Sequence, residues 1–215
     1  MKAHLLAAAL FALASLFGGC GQDKSGAVPE LRAFDGVREL APFKLIDHRG
    51  QPFDRARLLG HWTFLTFGYA SCPDMCPTML VNLAEMKRAL DSDWKGPAPQ
   101  FVFVSVDPGR DSVELLAQYV SAFNPQFLGA TGTQDTLDRM HKDFGGAHRL
   151  GKPDAARSGY YTVDHSVLLY VIDPDGRLHA QIAPPFDPAA MARRLTRIAL
   201  ARAEGSMPAS ATGTR

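Results

Sequence analysis

Apolar and polar positions follow two periods along the chain, and together they lay out alternating strands and helices. Phe43–Asp47 reads as a short strand turned by His48–Gln51, and Trp62–Phe67 as a stronger strand. Pro77 suits a first helical position, and Leu80, Leu83, Ala84 and the stem of Lys87 give the next helix an inward face to about Leu90. Phe101–Val106 is almost continuously apolar, the mark of a strand buried on both faces. Val113, Leu116, Ala117, Val120 and Phe123 then recur at helical spacing, with Asp111 and Glu114 placed for a capping box. Phe127–Ala130 reads as a short strand. Thr133 caps a helix carrying Leu137, Met140 and Phe144, and Gly145-Gly146 stops it. His148–Tyr161 shows no clean period and predicts a loop or a hairpin. Val167–Ile172 is another buried strand, Asp173–Gly176 a turn, and Leu178–Ile182 the returning strand. Asp187-Pro188 starts a last helix with Met191, Leu195 and Ile198 inward and Arg193, Arg194 and Arg197 solvated.

That order predicts an α/β domain of thioredoxin-like plan: a central mixed sheet flanked by helices, with an N-terminal strand or hairpin extension. Parallel central strands need the helical crossovers, and the late hairpin supplies antiparallel pairing. The domain is expected over residues 39–204, followed by a flexible tail at 205–215.

The N-terminus predicts export. Lys2 precedes the apolar run Leu5–Phe17, which is shorter than the roughly 20 residues of a spanning helix. Gly18-Gly19-Cys20 then resembles a bacterial lipoprotein signal. That resemblance implies a signal peptide over 1–19, cleavage before Cys20 and lipidation of Cys20, with a tether over 20–38. An uncleaved signal is the alternative anchor. Either way the domain is expected on the periplasmic side of a bacterial cell envelope, tethered to a membrane. An apolar fraction of 46%, a charged fraction of 21% and a net charge of +1 fit a globular domain. They give no electrostatic footprint for nucleic acid.

Three cysteines are present, and with Cys20 assigned to the anchor, Cys72 and Cys76 remain as a pair. They sit where a strand runs into a helix, the edge at which open α/β sheets place their chemistry. A disulfide here would close too small a loop to stabilise much. Thiolates are soft donors that select Cu(I), and imidazole suits copper in either oxidation state. Structural zinc commonly takes four protein ligands, more than two cysteines readily supply. Pro73 and Pro77 bias the preceding residues away from helical angles, so the pair lies in a constrained loop opening onto a helix. The helix's amide end would favour thiolate.

The segment Gly68-Tyr69-Ala70-Ser71-Cys72-Pro73-Asp74-Met75-Cys76-Pro77 resembles the signature of the Sco/SenC copper chaperones. Ser105–Asp111, Leu128–Thr133, Tyr161–Ser166 and Asp173–Gly176 match in the same order, over roughly Phe43 to Leu200. The resemblance implies copper ligation by Cys72, Cys76 and His165. The neighbouring Asp164 either orients the imidazole from behind or simply ends a loop. It also implies a role in building the binuclear copper centre of cytochrome c oxidase, by delivering copper or by reducing that centre's cysteines. Partners would be the oxidase's copper-bearing subunit or another cuproprotein, other copper carriers, and the membrane through the lipid anchor. This is a carrier more than an enzyme. The alternative is a thiol-disulfide oxidoreductase acting on exported proteins, but thioredoxins use CxxC where this chain has three intervening residues. A peroxiredoxin would carry threonine where Tyr69 stands. Met75 and Met79 are not counted as ligands, and His48, His61, His141, His148 and His179 show no ligand spacing.

Overall fold

The apolar runs become the centre of one eight-stranded sheet. The computed structural model describes residues 31–157 and 160–205. The chain runs β1 (Leu31–Glu39), β2 (Lys44–Asp47), β3 (Pro52–Asp54), a 3-10 turn (Arg55–Leu58), β4 (Thr63–Gly68) and α1 (Met75–Asp93). Then come β5 (Gln100–Ser105), α2 (Val113–Phe123), β6 (Leu128–Thr131), α3 (Gln134–Asp143), β7 (His148–Leu150) and a second 3-10 turn (Ala155–Arg157). β8 (Val163–His165), β9 (Leu169–Ile172), β10 (Arg177–Ile182) and α4 (Pro188–Ala203) complete it. The strand order is β1-β10-β9-β4-β5-β6-β2-β3, with β4, β5 and β6 parallel and every other pairing antiparallel. β4 and β9 are buried at every position, as strands covered on both faces must be. β10, nearer the edge, alternates between buried and half-buried. α1 and α4 pack against each other, and α2 lies on β6, where Gly129 lets Leu116 and Val120 approach closely.

The elements depart from expectation in three places. Leu31–Glu39 pairs with β10, so the sheet begins inside the segment read as tether. Sequence periodicity could not reveal β1, because the strand is specified by the open edge of β10 that it covers. α1 starts at Met75, putting Pro77 third in the helix rather than first. Proline is tolerated there because first-turn N–H groups have no intrahelical partner. Ser112, not Asp111, caps α2 by accepting from the Leu115 N–H. Of the loop or hairpin expected for 148–161, the hairpin forms: β7 pairs with β8, and His148 stands opposite His165. Cys20 and the signal segment lie outside the described residues. Among the described residues no helix is long and apolar enough to cross a membrane.

β4 and β9 are antiparallel, with Thr63 opposite Ile172, so the two ends of the sheet carry different furniture. One end has Gly68 and the thiols. The other has the β9–β10 turn, closed by fully buried Asp173. Its Oδ1 accepts from the Asp175 and Arg177 amides, both at 3.0 Å, and its Oδ2 accepts from the Arg177 guanidinium at 2.9 Å. Arg202 from α4 approaches the same oxygen at 3.3 Å.

Candidate metal centre

The site is assembled by a strand that stops, a loop that is tied down and a helix whose first amides face inward. β4 ends at Gly68, whose carbonyl accepts from the Val106 N–H at 2.8 Å. A Cβ at Gly68 would lie 2.6 Å from the Phe103 ring and 2.8 Å from the Cys76 sulfur, so only glycine leaves room for both. The loop then turns, with the Cys72 N–H donating to the Tyr69 carbonyl at 3.2 Å. Asp111 anchors it from behind. Its Oδ2 accepts from the Ala70 N–H at 2.8 Å and from the Ser105 hydroxyl at 2.6 Å, while its buried Oδ1 has no partner.

Asp74 occupies the N-cap of α1 without making a side-chain capping bond. The Cys72 sulfur faces those helix-start amides instead and accepts from the Cys76 N–H at 3.4 Å. Burial alone raises the Cys72 thiol pKa. The Asp74 N–H, the Cys76 thiol and the Cys76 and Met75 N–H groups outweigh it and hold the thiol below its ordinary value. Cys76 behaves oppositely. It is 3% exposed, and burial first, then its bond to Cys72, push its thiol far up. The two sulfurs are therefore unequal: Cys72 is the more reachable and the readier to ionise, and buried Cys76 holds its proton more tightly.

β8 delivers the imidazole. His165 Nδ1 lies 3.2 Å from the Ser166 carbonyl, which can only accept, so Nδ1 carries the proton and Nε2 keeps its lone pair. Nε2 lies 3.4 Å from the Cys76 sulfur. Burial, only partly offset by the Ser166 carbonyl, lowers the His165 pKa and favours the neutral, ligating ring. One donor atom each from Cys72, Cys76 and His165 falls within 4.8 Å of the others, the one such cluster among the described residues. Two soft sulfurs and one neutral nitrogen suit a thiophilic ion such as Cu(I). The free thiols also suit thiol-disulfide exchange. An open groove of about 330 Å³ passes this cluster, lined by Tyr69, Cys72, Met75, Val163, His165 and Val167 among others. A larger cleft of about 510 Å³, between the start of β2 and α3, holds no thiol or imidazole.

Of the two readings of Asp164, the geometry does not bear out the one that orients the ring. Neighbours on a strand point to opposite faces, so with His165 turned inward the Asp164 carboxylate turns out to Arg149, at 3.0 Å. The ring is oriented by the Ser166 carbonyl instead. Tyr69 stands edge-on to it, with centroids 5.8 Å apart. The Arg110 guanidinium lies 3.8 Å over the Tyr161 ring and 5.5 Å over Tyr69. Arg110 pairs with buried Asp107, which also accepts from the Tyr161 hydroxyl at 2.6 Å. Residues from the loops after β5 and before β8 thus brace the aromatic wall of the site. Asp107 and Arg110 are adjacent enough to pair by sequence alone, but the reach of Asp111 back to Ala70 leaves no trace in spacing. His141 stacks on Phe67, centroids 4.1 Å apart, and its Nδ1 is 3.0 Å from that of His148. His148 in turn meets the Asp138 carboxylate at 2.9 Å, so both rings serve the wall behind the centre.

Residues 34–200 match the SCO1/SenC family. A mitochondrial SCO2 homologue of Danio rerio is 40% identical over 151 residues, 68% of this chain and 53% of that protein. The chain spans about half the length of the curated vertebrate relatives it matches. Yeast Sco1 with copper bound superposes with a TM-score of 0.69 at 30% identity, covering 82% of this chain and 99% of that one. Bradyrhizobium japonicum ScoI with copper bound gives 0.65 at 32%, covering 74% and 98%.

Proposed function

The chain belongs to the SCO1/SenC family, and on that premise we propose that it is a copper carrier serving assembly of the binuclear copper centre of cytochrome c oxidase. Cys72, Cys76 and His165 hold the ion, which is cargo, and give it up to the oxidase's copper-bearing subunit or another cuproprotein. The observation that carries this reading is the convergence of two sulfurs and a lone-pair nitrogen from segments 89 residues apart in sequence, Cys76 and His165. Loading releases the Cys76 proton, because a metal-bound thiol is deprotonated. His165 enters already neutral. The groove leaves one side of the site open to a recipient. A lipid on Cys20 is the proposed tether, holding the domain at the outer face of an exporting membrane.

The inequality of the thiols favours a second reading. Cys72 as thiolate would attack a partner disulfide, releasing one partner sulfur as thiolate and forming a mixed disulfide. Cys76, losing its proton, would then displace the second partner sulfur, leaving the partner reduced and Cys72–Cys76 oxidised.

Anaerobic Cu(I) titration of the reduced chain separates the two. One copper per chain is expected. H165A should weaken binding about 100-fold, at the top of the roughly 10–100-fold range seen for changes merely behind a ligand, while leaving the thiol pair able to oxidise. Equal affinity in H165A and parent would shift the assignment to the exchange activity.

A further inference from the structure

A carrier must release its ion, and the groove beside the centre presents a soft donor that the ligand set leaves unused. Met75 is the first residue of α1, immediately before Cys76, and lines the groove with Cys72 and His165. The other four methionines among the described residues, Met79, Met86, Met140 and Met191, are at most 3% exposed. They fill gaps in the core, the usual service of an unbranched thioether. Met75 is 39% exposed, so core packing does not account for it. Two oxygen donors share its neighbourhood. The Asp164 carboxylate is engaged by Arg149, and Asp74 sits at the N-cap with no capping bond. Carboxylates are the harder donors, whereas thioethers select Cu(I).

We propose, resting on the copper-carrier reading, that the Met75 thioether is an auxiliary Cu(I) ligand that replaces the His165 imidazole as the ion leaves through the groove. The exchange balances without redox chemistry. A sulfur lone pair of Met75 forms a bond to copper as the bond to His165 Nε2 breaks, and the imidazole keeps its lone pair. Copper stays Cu(I) and three-coordinate, and no proton moves, since a thioether carries none. Met75 thereby converts a two-sulfur, one-nitrogen holding site into an all-sulfur exit site facing solvent.

The test is a double-mutant cycle read by anaerobic competition against a coloured Cu(I) chelator, using parent, M75L, H165A and H165A/M75L. M75L should weaken the parent less than about threefold but weaken H165A about thirtyfold, a coupling of at least about tenfold, or about 1.4 kcal/mol. Copper X-ray absorption should find three sulfurs around the ion in H165A and two in the double variant. H165A/D74N, which removes the oxygen rival, should match H165A. M75Q repeats the cycle should M75L melt earlier than the parent. An equal M75L effect in both backgrounds, or a two-sulfur shell in H165A, overturns the role of Met75 while the carrier reading stands. Failure of the parent to load copper overturns both.

Discussion

The two ends of the central sheet each bury an aspartate, and they use it differently. At the β9–β10 turn, Asp173 is saturated. Both oxygens accept, two backbone amides are fixed, and Arg177 and Arg202 neutralise the charge. At the thiol end, Asp111 is just as buried but accepts only from Ala70 and Ser105, leaves Oδ1 unpartnered, and meets no cation in direct hydrogen bonding. Burial raises its pKa, while the Ser105 and Ala70 donors pull the other way. The glycines at the two ends differ in the same sense. Gly176 supplies a positive φ of 72° to close a turn, whereas Gly68 supplies empty volume beside Cys76. One end spends its polar groups on closure. The other holds a loop in place while keeping sulfur, nitrogen and space available for a ligand.

Breaking the saturated end should have the largest effect on stability and little on the site. D173A strands two turn amides and leaves the Arg177 and Arg202 charges with only the exposed Asp175 carboxylate. Removing one partner of such a buried network costs about 3 kcal/mol at the low end of the range, because both arginines are partly exposed. Denaturant unfolding should report that loss, with Cu(I) affinity within about twofold of the parent, since sites this far apart act independently. A large fall in copper affinity would mean that the two ends are coupled.

G68A sharpens the contrast from the other side. The added methyl must displace the Phe103 ring and the Cys76 sulfur, at about 1–3 kcal/mol of overpacking. Stability should therefore fall less than in D173A while copper affinity falls more. Unchanged copper binding would show that the Gly68 contact does not position Cys76.

The smallest effect is a pH dependence. Because the folded pKa of Asp111 lies above its unfolded value, its contribution to stability is fully present below the unfolded pKa and is lost as pH rises through the folded one. D111N cannot titrate. The stability advantage of the parent over D111N should thus narrow as pH rises from about 4, where an unfolded aspartate titrates, through the raised folded pKa. A gap that widens with rising pH would place the carboxylate's stabilisation in its ionised form, as expected of a saturated aspartate.

Much of this fold is legible in the sequence. The runs 62–67, 101–106 and 167–172 became adjacent central strands because a stretch with no polar face has nowhere else to go. The caps at Thr133 and Asp187 formed as read, since a capping bond spans three residues and is local. Asp111 was misread for the same locality. It has a cap's spacing to Glu114, but the neighbouring Ser112 took that role, and the carboxylate was drawn 41 residues back to Ala70.

By itself the sequence determined the strand–loop–helix junction, the two thiols on it and the order of the elements that carry them, because these depend on residues close together in the chain. Tertiary structure alone decided that His165 Nε2 comes to Cys76, that Asp164 pairs with Arg149 instead of holding the ring, that β1 covers β10, and that the two sulfurs differ in burial. Those outcomes are set by which surfaces meet across the sheet. Burial and orientation are properties of the meeting, and no spacing along the chain encodes them.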